Sequence, residues 1–312
     1  MTKGRSRSRR GKSKYNKLAP LLILLLLYFA WDYFQTGPAP APDPPRTETE
    51  VEAGQGMELH FIDVGQADCT LALCDGQSLL VDGGNREDVG LICDYLQDLG
   101  LEQLDYVVCT HAHEDHAGGL SGVLAAYPAA TALVPYTEAD NRWFEDFMAV
   151  AQEQGTEIIV PEPGAEYSLG QAELEILGPL LEYESVNDTS IVLRLVYGDT
   201  AFLLTGDATA QAETDLLEAG AELSADVLKV GHHGSNGSTG YRFLREVMPV
   251  YAVISCGADN SYGHPGEKTL SRLEDEEAQI YRTDLLGSII CRSDGSSVSF
   301  EPENQESLPD NQ

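Results

Sequence analysis

Three histidines and an aspartate stand within six residues, His111-Ala112-His113-Glu114-Asp115-His116, in a chain that has only seven histidines. Two further segments, His232-His233 and His264, hold all but one of the others. Imidazole and carboxylate at this density hold metal ions; the set suits zinc, and manganese or iron less selectively. Extended backbone sends alternate side chains the same way, so His111 and His113 can reach one ion. The chain then turns, Asp115 and His116 can face a second, and Glu114 falls out of phase toward water. Asp207, in Thr205-Gly206-Asp207 at the end of an apolar run, is presented at a sheet rim, where one carboxylate can bridge two cations. Closed structural zinc sites are usually rich in thiolate, and none of the six cysteines stands at ligand spacing. The pattern therefore points to catalysis by two divalent ions about 3.5–4 Å apart, with a metal-bound hydroxide formed near pH 7 as the nucleophile. Asp115, besides ligating, would orient that hydroxide. His264 has three readings: a ligand, a donor to negative charge developing on the substrate, or a loop histidine held by Pro265. Ser235, Ser238 and Thr239 either donate to a substrate phosphate or cap the helix that follows. His60, alone in a strand, reads as a core histidine.

These residues need a scaffold that brings distant strand ends together. The run 57–64 alternates and reads as a strand, and 68–74 with 78–84 reads as a hairpin around Asp75-Gly76. Helical periodicity is predicted over 86–99, 118–126, 138–154, 208–219, 239–247 and 267–277. Further strands are predicted at 104–110, 173–178, 189–197, 200–207, 226–230, 250–255, 279–282, 287–292 and 296–300. The ligand-type residues follow the strands at 104–110, 200–207, 226–230 and 250–255, as a site along one edge of a sheet sandwich requires. Strands in two groups with helices between them suit two packed sheets covered by helices, a four-layer α/β arrangement.

With 42% hydrophobic residues the chain can bury a core, which excludes wholesale disorder and collagen-like composition. Its net charge of −32 conceals a split. Residues 1–17 hold eight cations and no acid, whereas residues 51–312 hold ten cations against 47 acids, a net −37. A body so acidic has no general attraction for nucleic acid or anionic membrane. An anionic or ester substrate would have to be held by local charge. Residues 18–34 are apolar up to Asp32, with Tyr28, Trp31 and Tyr33 at the far end. They read as an uncleaved transmembrane signal anchor with its basic side in the cytoplasm and the body outside; a cleaved signal is the alternative. The organisation expected is a basic cytoplasmic segment (1–17), the anchor (18–34), a proline-rich linker (35–56), a catalytic body (57–301) and a polar tail (302–312). The cysteines are expected to be mostly free thiols.

The HxHxDH segment followed by Gly118-Gly119, then TGD, then a distal histidine resembles the metallo-β-lactamase fold of metal-dependent hydrolases. HFIDVGQAD, LLVDGG, TSIVLRLVYGDTAFLLTGDA, DVLKVGHHGSNGST and YGHP are similar to the hydrolase domain of ComEC-type DNA-uptake proteins and its stand-alone relatives, over roughly residues 57–300. The resemblance implies an αββα sandwich with His111 and His113 on one metal, Asp115 and His116 on the other, and Asp207 shared. It implies that one histidine of the GHHG segment is the distal ligand. His232 is preferred as the first off its strand, with His233 beside the reaction or as its substitute. Many members place another histidine just before TGD; here Asn187 or Asp188 stands there, so one metal would be held more weakly. Ser235 and Asn187 are expected to meet substrate. Gly65-Gln66-Ala67-Asp68 departs from the family at its third residue, which is usually glycine. ComEC-type proteins also carry many membrane helices and this chain at most one, so DNA uptake is not implied. The function expected is an exported, membrane-anchored hydrolase of phosphodiesters. Hydrolysis of a cyclic ester, an amide or a cell-wall-linked group is the alternative, as is a metal-binding surface module without turnover.

Overall fold

In a computed structural model the described residues are 56–304. The expected basic segment, anchor and nearly all of the linker lie outside them, as does most of the tail. Among the described residues no helix is long and apolar enough to cross a membrane.

The strands in chain order are β1 (Met57–Phe61), β2 (Thr70–Cys74), β3 (Gln77–Val81), β4 (Leu104–Val108), β5 (Ala129–Leu133), β6 (Glu157–Ile159), β7 (Glu166–Leu169), β8 (Ala172–Gly178), β9 (Val192–Tyr197), β10 (Thr200–Leu204), β11 (Val227–Lys229), β12 (Tyr251–Ile254), β13 (Gln279–Arg282), β14 (Ile289–Ser293) and β15 (Val298–Pro302). They form two sheets, ordered β15-β14-β1-β2-β3-β4-β5-β6 and β13-β12-β11-β10-β9-β8-β7. In the first, β3, β4 and β5 are parallel neighbours. In the second, β10, β11 and β12 are parallel neighbours. Ligand-type residues follow five of these six strands, at their C-terminal ends, where open α/β sheets present their loops.

Strand alternation sorts the core. Leu193, Leu195, Phe202 and Leu204 point between the sheets, where they meet Met57, Leu59 and Phe61 of the first. Their neighbours Val192, Ala201 and Leu203 point outward to helices carrying Leu216, Leu244 and Leu273. On the first sheet Leu71, Leu80 and Val107 point outward in the same way. There they meet α1 (Val89–Asp98) and, beyond α2 (Glu114–Ala117) and α3 (Leu120–Ala126), α4 (Arg142–Gln154). Helix α4 buries Phe144, Phe147, Met148 and Ala151, a spacing of three and four residues that makes one face. Its N-cap Asn141 accepts from the backbone N–H groups of Trp143 and Phe144. The second sheet carries α5 (Ala210–Ala219), α6 (Tyr241–Val247) and α7 (Glu267–Asp275), and α8 (Thr283–Leu286) precedes β14. The result is a mixed α/β sandwich of two sheets with helices packed outside.

The predicted elements are present with trimmed ends. β5, β6, β7, α2 and α8 are not among the predicted elements. The helix predicted at 118–126 is α3, which starts after Gly118-Gly119, while the short α2 lies before that pair. A Cβ on Gly119 would lie 2.0 Å from the Gly83 carbonyl oxygen, so the turn after β3 and the turn after α2 pack backbone to backbone. Only glycine permits that approach. All six cysteines are unbridged.

Candidate metal centre

The bend after β4 carries His111 and His113, the latter extended at φ −70 and ψ 154, and α2 then carries Asp115 and His116. His111 Nε2 lies 3.1 Å from His113 Nδ1 and 3.7 Å from Asp207 Oδ2. The ligand atoms of His111, His113 and Asp207 all lie within 4.8 Å of one another. A second triplet, Asp115, His116 and His233, meets the same limit. Asp207 Oδ1 stands 3.2 Å from His116 Nε2 and 3.8 Å from His233 Nε2, so its two oxygens face the two triplets. Asp207 lies between the two groups.

Each buried imidazole is braced from behind. His116 Nδ1 donates to Asp82 Oδ2 at 2.7 Å. Asp82 also accepts from the Thr110 N–H and hydroxyl, at 2.8 and 2.7 Å. His233 Nδ1 donates to the Ser255 carbonyl at 3.1 Å and lies 3.3 Å from Asp68 Oδ1. Carbonyls and carboxylates only accept, so both Nδ1 atoms carry protons and both Nε2 atoms face the centre, where loss of their protons would expose lone pairs to an ion. Lys229, fully buried, places Nζ 2.8 Å from Asp68 Oδ2. Asp68, Asp82 and His116 also come within 4.8 Å of one another, but the Lys229 ammonium already supplies a cation beside them.

Burial disfavours the Asp207 carboxylate, yet the His116, His233 and His111 imidazoles outweigh it and hold its pKa well below the ordinary value. Burial likewise opposes the His116 cation, but Asp207 and Asp82 raise that imidazole well above its usual range. His233 is pushed up to about 10, the Asp68 and Asp207 carboxylates overcoming burial. His111 goes the other way, lowered by burial and by His116. Cations entering here displace protons from His116 and His233, so their affinity falls as pH falls.

The donor set fits two divalent ions. His116 Nε2 and Asp207 Oδ1 are buried 3.2 Å apart, and neither makes a well-formed hydrogen bond among the described residues. Orphaned buried polar atoms are costly unless something satisfies them, and two triplets of nitrogen and oxygen donors surround these.

The remaining predicted residues are placed as follows. His232 Nε2 comes to 3.5 Å from Asp207 Oδ2, on a side chain 27% exposed. Its ring lies 5.6 Å from that of His264, which stacks at 6.5 Å on His233. His264 Nδ1 is buried and unpartnered, and the Asn260 amide holds the loop through the His264 backbone N–H at 3.0 Å. Asn187 Oδ1 is also buried without a partner. Asp188 is spent elsewhere, accepting from the Thr209 N–H and hydroxyl at the start of α5, at 2.9 and 2.7 Å. The Ser235 hydroxyl accepts from the Gly237 N–H at 3.3 Å within its own turn. Thr239 caps no helix; its hydroxyl accepts from the Gly231 N–H at 3.3 Å. His60 lies in a strand, bonded to Tyr95 and Glu58 at 2.9 and 3.1 Å.

Sequence reasoning assigned no role to Asp82, Asp68 or Lys229. Asp82 carries the signal that identified Asp207, an aspartate beside glycine at the end of an apolar strand. Lys229 is the one charge in the apolar run Val227–Val230.

The signature of the metallo-beta-lactamase superfamily matches residues 62–258. ComE operon protein 3 of Bacillus subtilis is 31% identical over 254 residues, which cover 75% of this chain and 33% of that protein. Competence protein ComA of Neisseria gonorrhoeae is 31% identical over 240 residues, covering 73% of this chain and 31% of that one. The chain spans about a third of the length of these curated relatives. Among solved structures, CmlA, a diiron β-hydroxylase from Streptomyces venezuelae, superposes with a TM-score of 0.51 at 18% identity, over 77% of this chain and 54% of that one. That likeness is one of fold.

Proposed function

This chain belongs to the metallo-β-lactamase superfamily, whose members are generally hydrolases, and we propose that it is a two-metal hydrolase of phosphodiesters. The observation that carries the proposal is two donor triplets that meet at a buried pair, His116 Nε2 and Asp207 Oδ1, which are 3.2 Å apart without a well-formed hydrogen bond. His111, His113 and Asp207 would hold one ion; Asp115, His116, His233 and Asp207 the other. His233 takes the distal role first expected of His232, because its Nε2 stands 3.3 Å from Asp115 Oδ2 while its Nδ1 is braced. Zinc suits these donors, and manganese or iron also fits. When bound, such ions supply Lewis acidity and acidify water from a pKa of about 15.7 to about 7.

The side chains do the rest. Asp82 and Ser255 fix the tautomers of His116 and His233. Asp115, the most exposed carboxylate of the cluster, orients the attacking water. His264, half-exposed beside His232, donates to charge building on the substrate oxygen. Asn187, with its free Oδ1, meets substrate or completes the first ion's shell. The GHHGS segment and the competence-protein relatives favour a phosphodiester over a lactam or thioester. Residues 18–34 would anchor the protein with the body outside the cytoplasm, a reading that rests on the eight cations before them and the aromatic residues at their end. DNA uptake by the whole relatives is not proposed for this chain.

Metal analysis of demetallated and reloaded protein should give close to two ions per chain, together with hydrolysis of bis-para-nitrophenyl phosphate. Asp207→Asn should keep the fold and lose roughly 10²–10³ in kcat/KM, the size expected for a main transition-state contact. Stoichiometric metal without hydrolysis of any diester, ester or amide in a substrate panel would leave a binding module, and no metal would end the proposal.

A further inference from the structure

Residues 51–312 carry ten cations against 47 acids, and most of the ten are engaged. Lys229 pairs with Asp68, Arg194 with Glu175, Arg245 with Glu276, Arg282 with Asp284, and Arg292 with Glu58 and Glu301. Arg272 donates to the Ser238, Thr239 and Asn236 carbonyls. Arg242 and Lys268 form no ion pair among the described residues, and neither do Arg86 and Arg142. The latter two lie instead over one indole, with guanidinium carbons 6.0 and 4.5 Å from the Trp143 ring centroid. An aromatic face holds a guanidinium in place without neutralising it, so two exposed, undischarged cations are fixed side by side.

Their position is at the rim of the metal centre. Parallel pairing of β3, β4 and β5 puts the C-terminal ends of these strands on one edge. Arg86 follows β3, His111 to His116 follow β4, and Arg142 and Trp143 open the helix after β5. A Cβ on Gly118 would meet the Arg86 backbone nitrogen at 2.9 Å, so Arg86 rests against the end of α2, the helix of Asp115 and His116. Helix α2 also packs on α4, which begins with Arg142.

We propose that Arg86, Trp143 and Arg142 form a clamp for a phosphate that flanks the reacting one in an oligonucleotide. This deepens the phosphodiester reading and rests on it. Guanidinium forks match phosphate oxygens, and an aromatic ring beside them suits a neighbouring base. The surrounding net charge repels polyanions, so a chain of phosphates needs a local counter-charge beside the centre to stay on the surface. Exposed Glu87 and Glu145 next to the clamp keep it from gathering anions at large. It engages a strand whose next phosphate is already seated at the metals.

The test uses full-length, metal-loaded protein carrying Trp31→Phe, which leaves Trp143 as the sole tryptophan. Oligothymidylate of about eight nucleotides, the scale of a single-strand groove, should quench its emission saturably. The logarithm of the binding constant should fall against log salt with a slope near −1.4, about −0.7 for each of two phosphates. Arg86→Ala with Arg142→Ala should flatten that slope. It should also lower the ratio of kcat/KM for oligothymidylate to that for bis-para-nitrophenyl phosphate roughly 10-fold, the worth of a charge-assisted contact. An unchanged ratio and slope would overturn the clamp. If the small diester is not cleaved at all, the phosphodiester reading falls instead. Quenching and its salt slope then judge the clamp alone, and their absence overturns it.

Discussion

The two histidine segments reach the same centre by opposite means. In the first, His113 is ordinary extended chain and Asp115 and His116 lie in a helical turn, so the backbone itself aims the side chains. In the second, His232 and His233 both adopt the left-handed conformation, at φ 52 and 51. That region costs about 1–2 kcal/mol for a residue with a side chain. The surroundings impose it. The His232 N–H donates to the Gly206 carbonyl at 3.0 Å, and the Gly266 N–H to the Gly234 carbonyl at 2.9 Å. Thr269 donates to the Ser235 carbonyl at 2.8 Å, while Arg272 ties down the carbonyls beyond it. Thr239, itself at φ 56, is held through its N–H by the buried carboxylate of Glu213. One segment is built by its own sequence and the other by its neighbours, so the second should be the more sensitive to distant changes.

The strongest test of this contrast compares the two adjacent histidines. His233→Ala should lose close to one ion and roughly 10²–10³ in kcat/KM. His232→Ala should keep both ions and lose less. Metal content measured beside turnover decides, and the reverse ranking would undo the assignment of His233. The first segment is sharpened by its brace. Asp82→Asn should leave the ligands in place yet weaken metal retention about 10- to 100-fold, the range for a group orienting a ligand, as read by competition with a chelator.

The smallest effect concerns the stake under the second segment. Burial raises the Glu213 carboxyl from 4.5 to about 7, despite its hydrogen bonds from Gly240 and Thr239. The folded state therefore binds this proton more tightly than the unfolded chain does. Its contribution to stability is present in full below pH 4.5 and drains away as pH rises through about 7. Glu213→Gln cannot ionise and should flatten that part of the stability curve, by roughly 3 kcal/mol at most. Melting curves of both proteins across this range would show it, and parallel curves would remove Glu213 from the account.

The same contrast explains what could be read from the sequence. The spacing of His111, His113, Asp115 and His116 encodes local geometry, and apolar runs before Asp207 and His232 encode strand ends. β5 escaped notice because Ala129-Ala130-Thr131-Ala132-Leu133 is alanine-rich and lacks the β-branched pattern of a strand. β6 has only three residues, too few for any period to register. The choice between His232 and His233 depends on a left-handed backbone set by residues up to 40 positions away, from Glu213 to Arg272, and no local pattern carries it. Asp68 and Lys229 meet across 161 positions, a pairing that only the folded sheets create. The place of Asp207 after an apolar strand marks it as a bridging carboxylate, whereas the bracing of its partners exists only in the fold.

The donor triplets draw on loops from both sheets, His113 and Asp115 from the first and Asp207 and His233 from the second. A partly folded chain with one sheet melted completes neither of these two triplets. Ion occupancy would thus act as a proofreading mark, recording that the two halves have docked in register. At a free concentration 100 times its dissociation constant, each ion would add about 2.7 kcal/mol to the assembled state alone. The available metal concentration would then decide how long a correctly assembled molecule lasts.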